Sequence, residues 1–271
     1  MSDGFTANLR DALKSKREKP RLDVLLVARG LFESRELAQR AILAGEVRTT
    51  SRLLDKAGTR VESDIVIEVV ARPRYVGRGG LKLEAALAAF TIDPTGRTCL
   101  DVGASTGGFT DCLLQHGAKK VFAYDVGHSQ LDWKIRSDPR VVVGEGMNAR
   151  HLRRSDFPEA ISLCVIDVSF ISLTKILPAL VDVLSDGVAA EIVALIKPQF
   201  ESRREDVGKG GIVKDPVIHA RAVESVRLFV GGQMPGWRWI GDIDSPILGT
   251  EGNKEFLCHL STRPEDVSTE G

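Results

Sequence analysis

Three acids and one lysine stand where this chain could do chemistry. Asp101 sits at the head of LDVGASTGGFT (residues 100–110), Asp125 closes KVFAYD, Asp167 closes CVID, and Lys197 follows IVALI and precedes Pro198. Each adjoins an apolar run short enough to be a buried strand. A lysine emerging from such a run is costly unless it is paired or useful. Partial desolvation and a neighbouring cation both favour a neutral amine, the form a general base needs. Gly103, Gly107 and Gly108 permit a tight turn and close backbone approach to a ligand at a helix N-terminus, with Ser105 and Phe109 beside them. This is the pattern of a nucleotide-cofactor site.

A glycine-rich turn alone serves dinucleotides equally well. Three details favour S-adenosylmethionine. The spacing is G-x-S-x-G-G rather than G-x-G-x-x-G. Asp101 precedes the first glycine, where a carboxylate can hold an amino-acid end but would repel a pyrophosphate. Asp125, next to Val126, ends the following run and can accept both ribose hydroxyls, a property NAD would share. The base is expected near GMNAR, at Met147 and Asn148.

Methyl transfer from a sulfonium is an in-line displacement, so the acceptor must be aligned and, if it is a hydroxyl, deprotonated. Amine methylation is disfavoured, because CVIDVSFISL lacks the Asn/Asp-Pro-Pro-Tyr tetrad of enzymes that act on exocyclic amines. Carbon-five pyrimidine methylation needs a cysteine nucleophile, and Cys164 lies inside a hydrophobic run. Lys197 remains, with Lys82 in RGGLKLE and Glu255 in EGNKEFLCHL as further charged groups that fit around it.

The elements that must position these residues alternate in type. Strands are expected near 97–102, 119–125, 140–144, 162–167, 190–196, 237–243 and 254–261. Helices are expected over LKLEAALAAF and near 107–116, 172–185 and 217–230. Strand, crossover helix and strand again imply a mostly parallel sheet covered on both faces, with ligands outside the carboxyl ends of its strands. Ahead of it lies a compact unit. RLDVLLVARG places Leu22, Leu25, Leu26 and Arg29 at helical spacing with Gly30 as a stop. ESRELAQRAILAGEV has Ser34 as N-cap, Leu37, Ala38, Ala41 and Ile42 on one face, and Gly45 as terminator. EVRTT and DIVIEVV read as strands of a small sheet. Segment 72–82, RPRYVGRGGLK, reads as a joint rich in glycine and arginine.

The 271 residues carry no net formal charge. Residues 1–75 hold 15 Lys/Arg against 11 Asp/Glu, a difference of +4, and the remainder holds 22 against 26, or −4. A basic front end suits a polyanion. The four cysteines are isolated and the histidines lack metal-ligand spacing, so neither zinc nor disulfides are indicated. The N-terminus lacks an apolar core and no run approaches a membrane span, so a soluble cytoplasmic protein is expected. Residues 1–20, with Lys14, Lys16, Arg17 and Lys19, read as a basic arm, and 263–271 as a disordered tail.

RLDVLLVARGLFESRELAQRAILAGEV followed by DKAGTRV resembles the alpha-L RNA-binding module of small-subunit ribosomal protein four, over about residues 21–71. That resemblance implies phosphate contacts from Arg21, Arg35, Arg40, Arg48 and Lys56. Lys82, Asp167, Lys197 and Glu255 resemble the Lys-Asp-Lys-Glu tetrad of FtsJ-type ribose 2′-O-methyltransferases. RGGLKL, DVGASTGGFTDCLLQ, DVGHSQLDWK, KPQFE and VGKGGIV are arranged as in the TlyA/hemolysin A family. The fold so implied is α/β: a Rossmann-like seven-stranded methyltransferase domain (83–262) behind a small α+β RNA-binding domain (21–71). The activity implied is S-adenosylmethionine-dependent 2′-O-methylation of cytidine in ribosomal RNA, in naked form or in subunits, without a metal. Lys197 would take the hydroxyl proton or stabilise the alkoxide, Asp167 would hold Lys197 and the methyl donor in line, and Lys82 and Glu255 would orient the ribose. Arg78 and Lys209 would touch RNA. His128, where relatives often have an aromatic residue or glycine, reads as a local cap. The alternatives are an RNA-binding protein that holds S-adenosylmethionine without catalysis and a hemolysin acting on membranes. The second would need an insertion segment that the sequence lacks.

Overall fold

A computed structural model describes residues 19–43, 45–70, 73–184, 187–249 and 251–262. The arm residues Lys14, Lys16 and Arg17, the tail 263–271 and Arg72 lie outside them. The chain divides into two compact units between Pro73 and Arg74.

In the first unit, α1 (Leu22–Ala28) and α2 (Arg35–Leu43) precede β1 (Val47–Arg48) and β2 (Glu68–Val69). Ser34 Oγ accepts the Leu37 N–H at 3.2 Å, the expected cap. Gly30 and Gly45 close the helices at φ 71° and 74°. Leu22, Leu25, Leu26, Ala38, Ala41 and Ile42 form the core with Val47, Leu54 and Val61. Leu37 departs from its expected place and is 42% exposed. The expected strands shrink to an antiparallel pair of two residues each. Arg29 instead secures the second segment, donating to the carbonyls of Ile65 and Ser63 at 2.7 Å each.

Asp23 is a charge inside this small core, fully buried on α1. It accepts from Arg21 Nε at 3.0 Å, Arg35 Nη2 at 2.9 Å and Gln39 Nε2 at 2.7 Å. The Arg21 hydrogen bond first, then those of Gln39 and Arg35, hold its carboxyl well below the usual carboxylate range against the opposing effect of burial. Arg21 and Arg35, expected as phosphate contacts, are both bonded to Asp23. Arg48 is likewise paired with Glu68 at 3.0 Å. Arg40 and Lys56 are exposed.

In the second unit a seven-stranded sheet runs in the order β5-β4-β3-β6-β7-β9-β8. Its strands are β3 (Thr98–Val102), β4 (Lys120–Asp125), β5 (Val141–Glu145), β6 (Leu163–Ile166), β7 (Glu191–Ile196), β8 (Arg238–Asp244) and β9 (Phe256–Ser261). The first five pair in parallel, and β9 runs antiparallel to both neighbours. Successive residues feed opposite faces: Leu100 and Phe122 pack with Leu177 and Val226 on one side, Cys99 and Val121 with Leu83 and Leu113 on the other. The helices are α3 (Gly79–Ala89), α4 (Gly108–Gln115), α5 (Trp133–Arg136), α6 (Leu177–Val183), α7 (Pro198–Glu201) and α8 (Pro216–Gln233). Chain order reverses at β3, with β4 on one side and β6 on the other, which opens a crevice at their carboxyl ends.

The joint expected at 72–82 is shorter than its composition suggests. Tyr75 is 3% exposed and lies against Gly80, and α3 already starts at Gly79. A Cβ on Gly108 would come within 3.0 Å of the Gly77 carbonyl oxygen and the Gly80 nitrogen, so these glycines let α3 and α4 approach backbone to backbone.

Asp23 yields a prediction. Its pKa is lowered on folding, so its contribution is complete above the unfolded value near pH 4 and fades as pH falls below that. Asp23→Ala should lower the stability of the first unit by about 3 kcal/mol at neutral pH, and the gap to wild type should narrow in acid, as read by denaturant melts.

Candidate active site

A glycine stands where the crevice opens. Gly103 takes φ +86°, and a Cβ there would lie 2.2 Å from the Asp167 carbonyl oxygen. Gly103 N–H donates to the Tyr124 carbonyl at 2.8 Å and Asp167 N–H to the Val102 carbonyl at 2.9 Å. The turn after β3 is therefore held by its neighbours on both sides. Gly107, at φ +97°, is the N-cap of α4 and packs towards Leu131 and Ile135 rather than lining a cavity.

A cavity of about 410 Å³ lies on one side of Gly103, lined by Gly103, Ser105, Asp125, Val126, Met147, Asn148 and Asp167 among others. The Asp125 carboxylate is aimed by two backbone donors, Ser105 N–H at 2.9 Å and Gly127 N–H at 2.7 Å, which leave acceptor capacity for a pair of hydroxyls. Tyr124, Leu152 and Ile176 add apolar wall. A second cavity of about 270 Å³ shares Gly103, Ser105 and Asp167 and adds Arg78, Lys82, Gly108 and Phe109. A nucleoside in the first, with an amino-acid end reaching the second, matches these sizes and groups, so the residues present fit S-adenosylmethionine.

Asp101 lies beneath the turn, fully buried, and lines neither cavity. Its Oδ2 accepts from Thr110 Oγ1 at 2.6 Å, while Oδ1 has no partner among the described residues. Burial pushes its pKa up to about 7, against the Thr110 hydrogen bond.

The four charged residues singled out by sequence fall into two ion pairs at the second cavity. Lys197 Nζ lies 2.7 Å from Asp167 Oδ1, and Lys82 Nζ lies 2.5 Å from Glu255 Oε2. Asp167 and Lys82 line that cavity, whereas Lys197 and Glu255 do not line it and are bonded to the two residues that do. Lys82 and Glu255 are 7% and 3% exposed, so this pair is almost fully desolvated and depends on its mutual attraction.

Two neighbours went unread in the sequence. Ser169 Oγ accepts from Lys197 Nζ at 2.9 Å and so helps aim the amine. Phe170 sits at φ +65°, 89% exposed, with its ring 5.2 Å from that of Phe200 at the first cavity. A non-glycine residue held in that region is a known mark of functional loops, but backbone conformation leaves no trace in composition. His128 is exposed, 4.0 Å from Glu145, and caps no helix. Lys209 is exposed on the 208–214 loop.

Gly103→Ala should force the ends of β3 and β6 apart. We expect a loss of about 2–3 kcal/mol in stability and about tenfold or more in S-adenosylmethionine affinity, measured by thermal melts and calorimetric titration.

A family model described as FtsJ-like methyltransferase matches residues 75–262. The chain is 45% identical over 249 residues to the 16S/23S rRNA (cytidine-2′-O)-methyltransferase TlyA of Mycobacterium tuberculosis (strain ATCC 25618 / H37Rv), covering 91% of each. It is 44% identical over 241 residues to Hemolysin A of Brachyspira hyodysenteriae, covering 89% of this chain and 99% of that one. The solved structure of a hemolysin candidate from Streptococcus thermophilus, 46% identical, aligns with a TM-score of 0.67 over 90% of this chain and 89% of that one. The chain belongs to the FtsJ-like methyltransferase family, and its methyl donor is S-adenosylmethionine.

Proposed function

We propose that this protein methylates the ribose 2′-hydroxyl of cytidine in ribosomal RNA. The observation that carries the reading is the pair of ion pairs, Lys197–Asp167 and Lys82–Glu255, at a cavity that shares Gly103 and Asp167 with the nucleoside-sized one. A hydroxyl is a poor nucleophile until its proton leaves, and a strand-end lysine aimed by a carboxylate and a serine hydroxyl is suited to that task. The relative from Mycobacterium tuberculosis carries the same activity in its name.

The roles follow from position. Asp125 holds the ribose hydroxyls of the donor, with Val126, Met147 and Asn148 around its base. Gly103, Ser105, Gly108 and Phe109 shape the path to the second cavity, with Asp101 beneath. When bound, S-adenosylmethionine supplies an electrophilic methyl group. Lys197 accepts the proton of the target hydroxyl or stabilises the oxygen anion as it develops. Asp167 and Ser169 fix the direction of that amine. Lys82, held by Glu255, presents a positive charge to the target ribose and its phosphate. Arg78 and Lys209 on the second unit, and Arg40 and Lys56 on the first, supply cations for the RNA backbone. Arg21, Arg35 and Arg48 contribute the faces left open by their carboxylate partners.

Base methylation through a cysteine is disfavoured by burial. Cys164 is wholly enclosed in β6, and burial pushes its thiol well above the ordinary range. Among the described residues, no helix is long and apolar enough to cross a membrane. A ribosomal substrate places the protein in the cytoplasm.

The test is transfer of labelled methyl to separated ribosomal subunits and to their naked RNAs. Wild type should label at least one of them. Lys197→Ala should bind S-adenosylmethionine within about threefold of wild type yet lose about 100-fold or more in transfer rate. Undiminished transfer by that variant would contradict the assignment.

A further inference from the structure

The segment from Lys197 to Lys214 is tied to the charge cluster at both ends. Its first residue is Lys197. Its last turn, Gly208–Val213, is fixed by a side chain from elsewhere in the unit. Asn253 is 1% exposed, its Oδ1 accepts the Val213 N–H at 2.9 Å, and its Nδ2 donates to the Gly211 carbonyl at 2.9 Å. Both ends of the carboxamide are therefore spent on one turn. That turn needs the help: Gly210 and Gly211 both take positive φ, at 76° and 77°, and within it Gly208 N–H donates to the Ile212 carbonyl at 3.0 Å. On the other side of the bridge, Asn253 precedes Glu255 by two residues. The Asn253 carbonyl accepts the Gly249 N–H at 2.9 Å, and Gly249 is so near Glu255 that a Cβ on it would lie 2.5 Å from Oε1.

We infer that Asn253 is a positioning residue, which locks the Gly208–Val213 turn to the segment carrying Glu255 and so couples the exposed Lys209 to the Lys82–Glu255 pair. A buried carboxamide whose donor and acceptor are both satisfied by backbone specifies one arrangement, because an unmade bond there carries the full desolvation penalty. Lys209 can then meet RNA only on a turn whose geometry is shared with the tetrad. The inference rests on the methyl-transfer reading.

The test compares wild type, Asn253→Ala and Asn253→Asp in the full-length chain. Asn253→Asp keeps the acceptor for Val213 N–H and sets an oxygen against the Gly211 carbonyl. Three quantities are read: amide hydrogen exchange across 207–214 without RNA, S-adenosylmethionine affinity by calorimetry, and kcat and KM on the RNA that wild type labels. We expect exchange about tenfold faster or more and kcat about tenfold lower or more in both variants, with KM and cofactor affinity within about threefold. Exchange like that of wild type overturns the lock, and faster exchange with unchanged kcat overturns the coupling. Should Asn253→Ala lose its cooperative melt, Gly211→Ala strains the same turn from its exposed side, and it is expected to give the same split. Unchanged kcat in that variant, with its exchange raised, also overturns the coupling. An inactive wild type would instead contradict the methyl-transfer reading, and exchange alone would then decide the lock.

Discussion

The site depends on one contact, the Gly103 backbone against the Asp167 carbonyl. Parallel strands β3 and β6 are neighbours in the sheet, yet the chain leaves them in opposite directions. Without a side chain at residue 103 the two strand ends stay close, so the turn that shapes the first cavity and the carboxylate bonded to Lys197 share one wall. Any larger residue would separate donor from acceptor, and in-line transfer is sensitive to displacements of about an ångström. Gly108 does similar work a few residues on, since its bare backbone lets the start of α3, and with it Lys82, lie over the start of α4.

Buried charge alone does not mark such a site. At the opposite end of the strands Arg97 pairs with Glu191 at 2.6 Å, and His259 bonds the same carboxylate at 3.1 Å. Glu191 and His259 are as enclosed as Lys82 and Glu255, but with Arg97 they line none of the cavities described and lie at the amino ends of the parallel strands. The difference is position: ligands in open parallel sheets bind at the carboxyl ends. Lys197 and Asp167 meet there because β6 and β7 are adjacent and parallel, with Ile166 in register with Ala194, so both residues leave the sheet at its carboxyl edge.

Much of this was legible from residues. Strands β3 to β9 lie within two residues of their expected spans. Of these, β3, β6, β7 and β9 are buried throughout and read as short, largely apolar runs whichever face they supply, whereas β8 alternates between half-buried and exposed residues. The turn after β3 was legible through its glycines, although Gly107 and Gly108 serve chain-to-chain approach as much as any ligand. Helices α5 and α7 have four residues each, too few for helical periodicity to register. Asp23 was passed over because an acid in a first turn ordinarily complements the helix dipole at the surface, and only the fold brings Arg21, Arg35 and Gln39 to it. Asn253 was invisible for the same reason: its partners are backbone groups 40 and 42 residues away, which no side-chain pattern encodes. The shortened joint after Pro73 was hidden because glycines that permit close packing look like glycines that permit flexibility.

The claim at the centre is that the cluster directs the methyl group to a ribose oxygen. Nucleoside mass spectrometry of ribosomal RNA after reaction with wild-type protein tests it most directly. A 2′-O-methylcytidine recovered in an alkali-resistant dinucleotide is the predicted result. A methyl group on a base, in a nucleotide that alkali cleaves normally, would contradict the account.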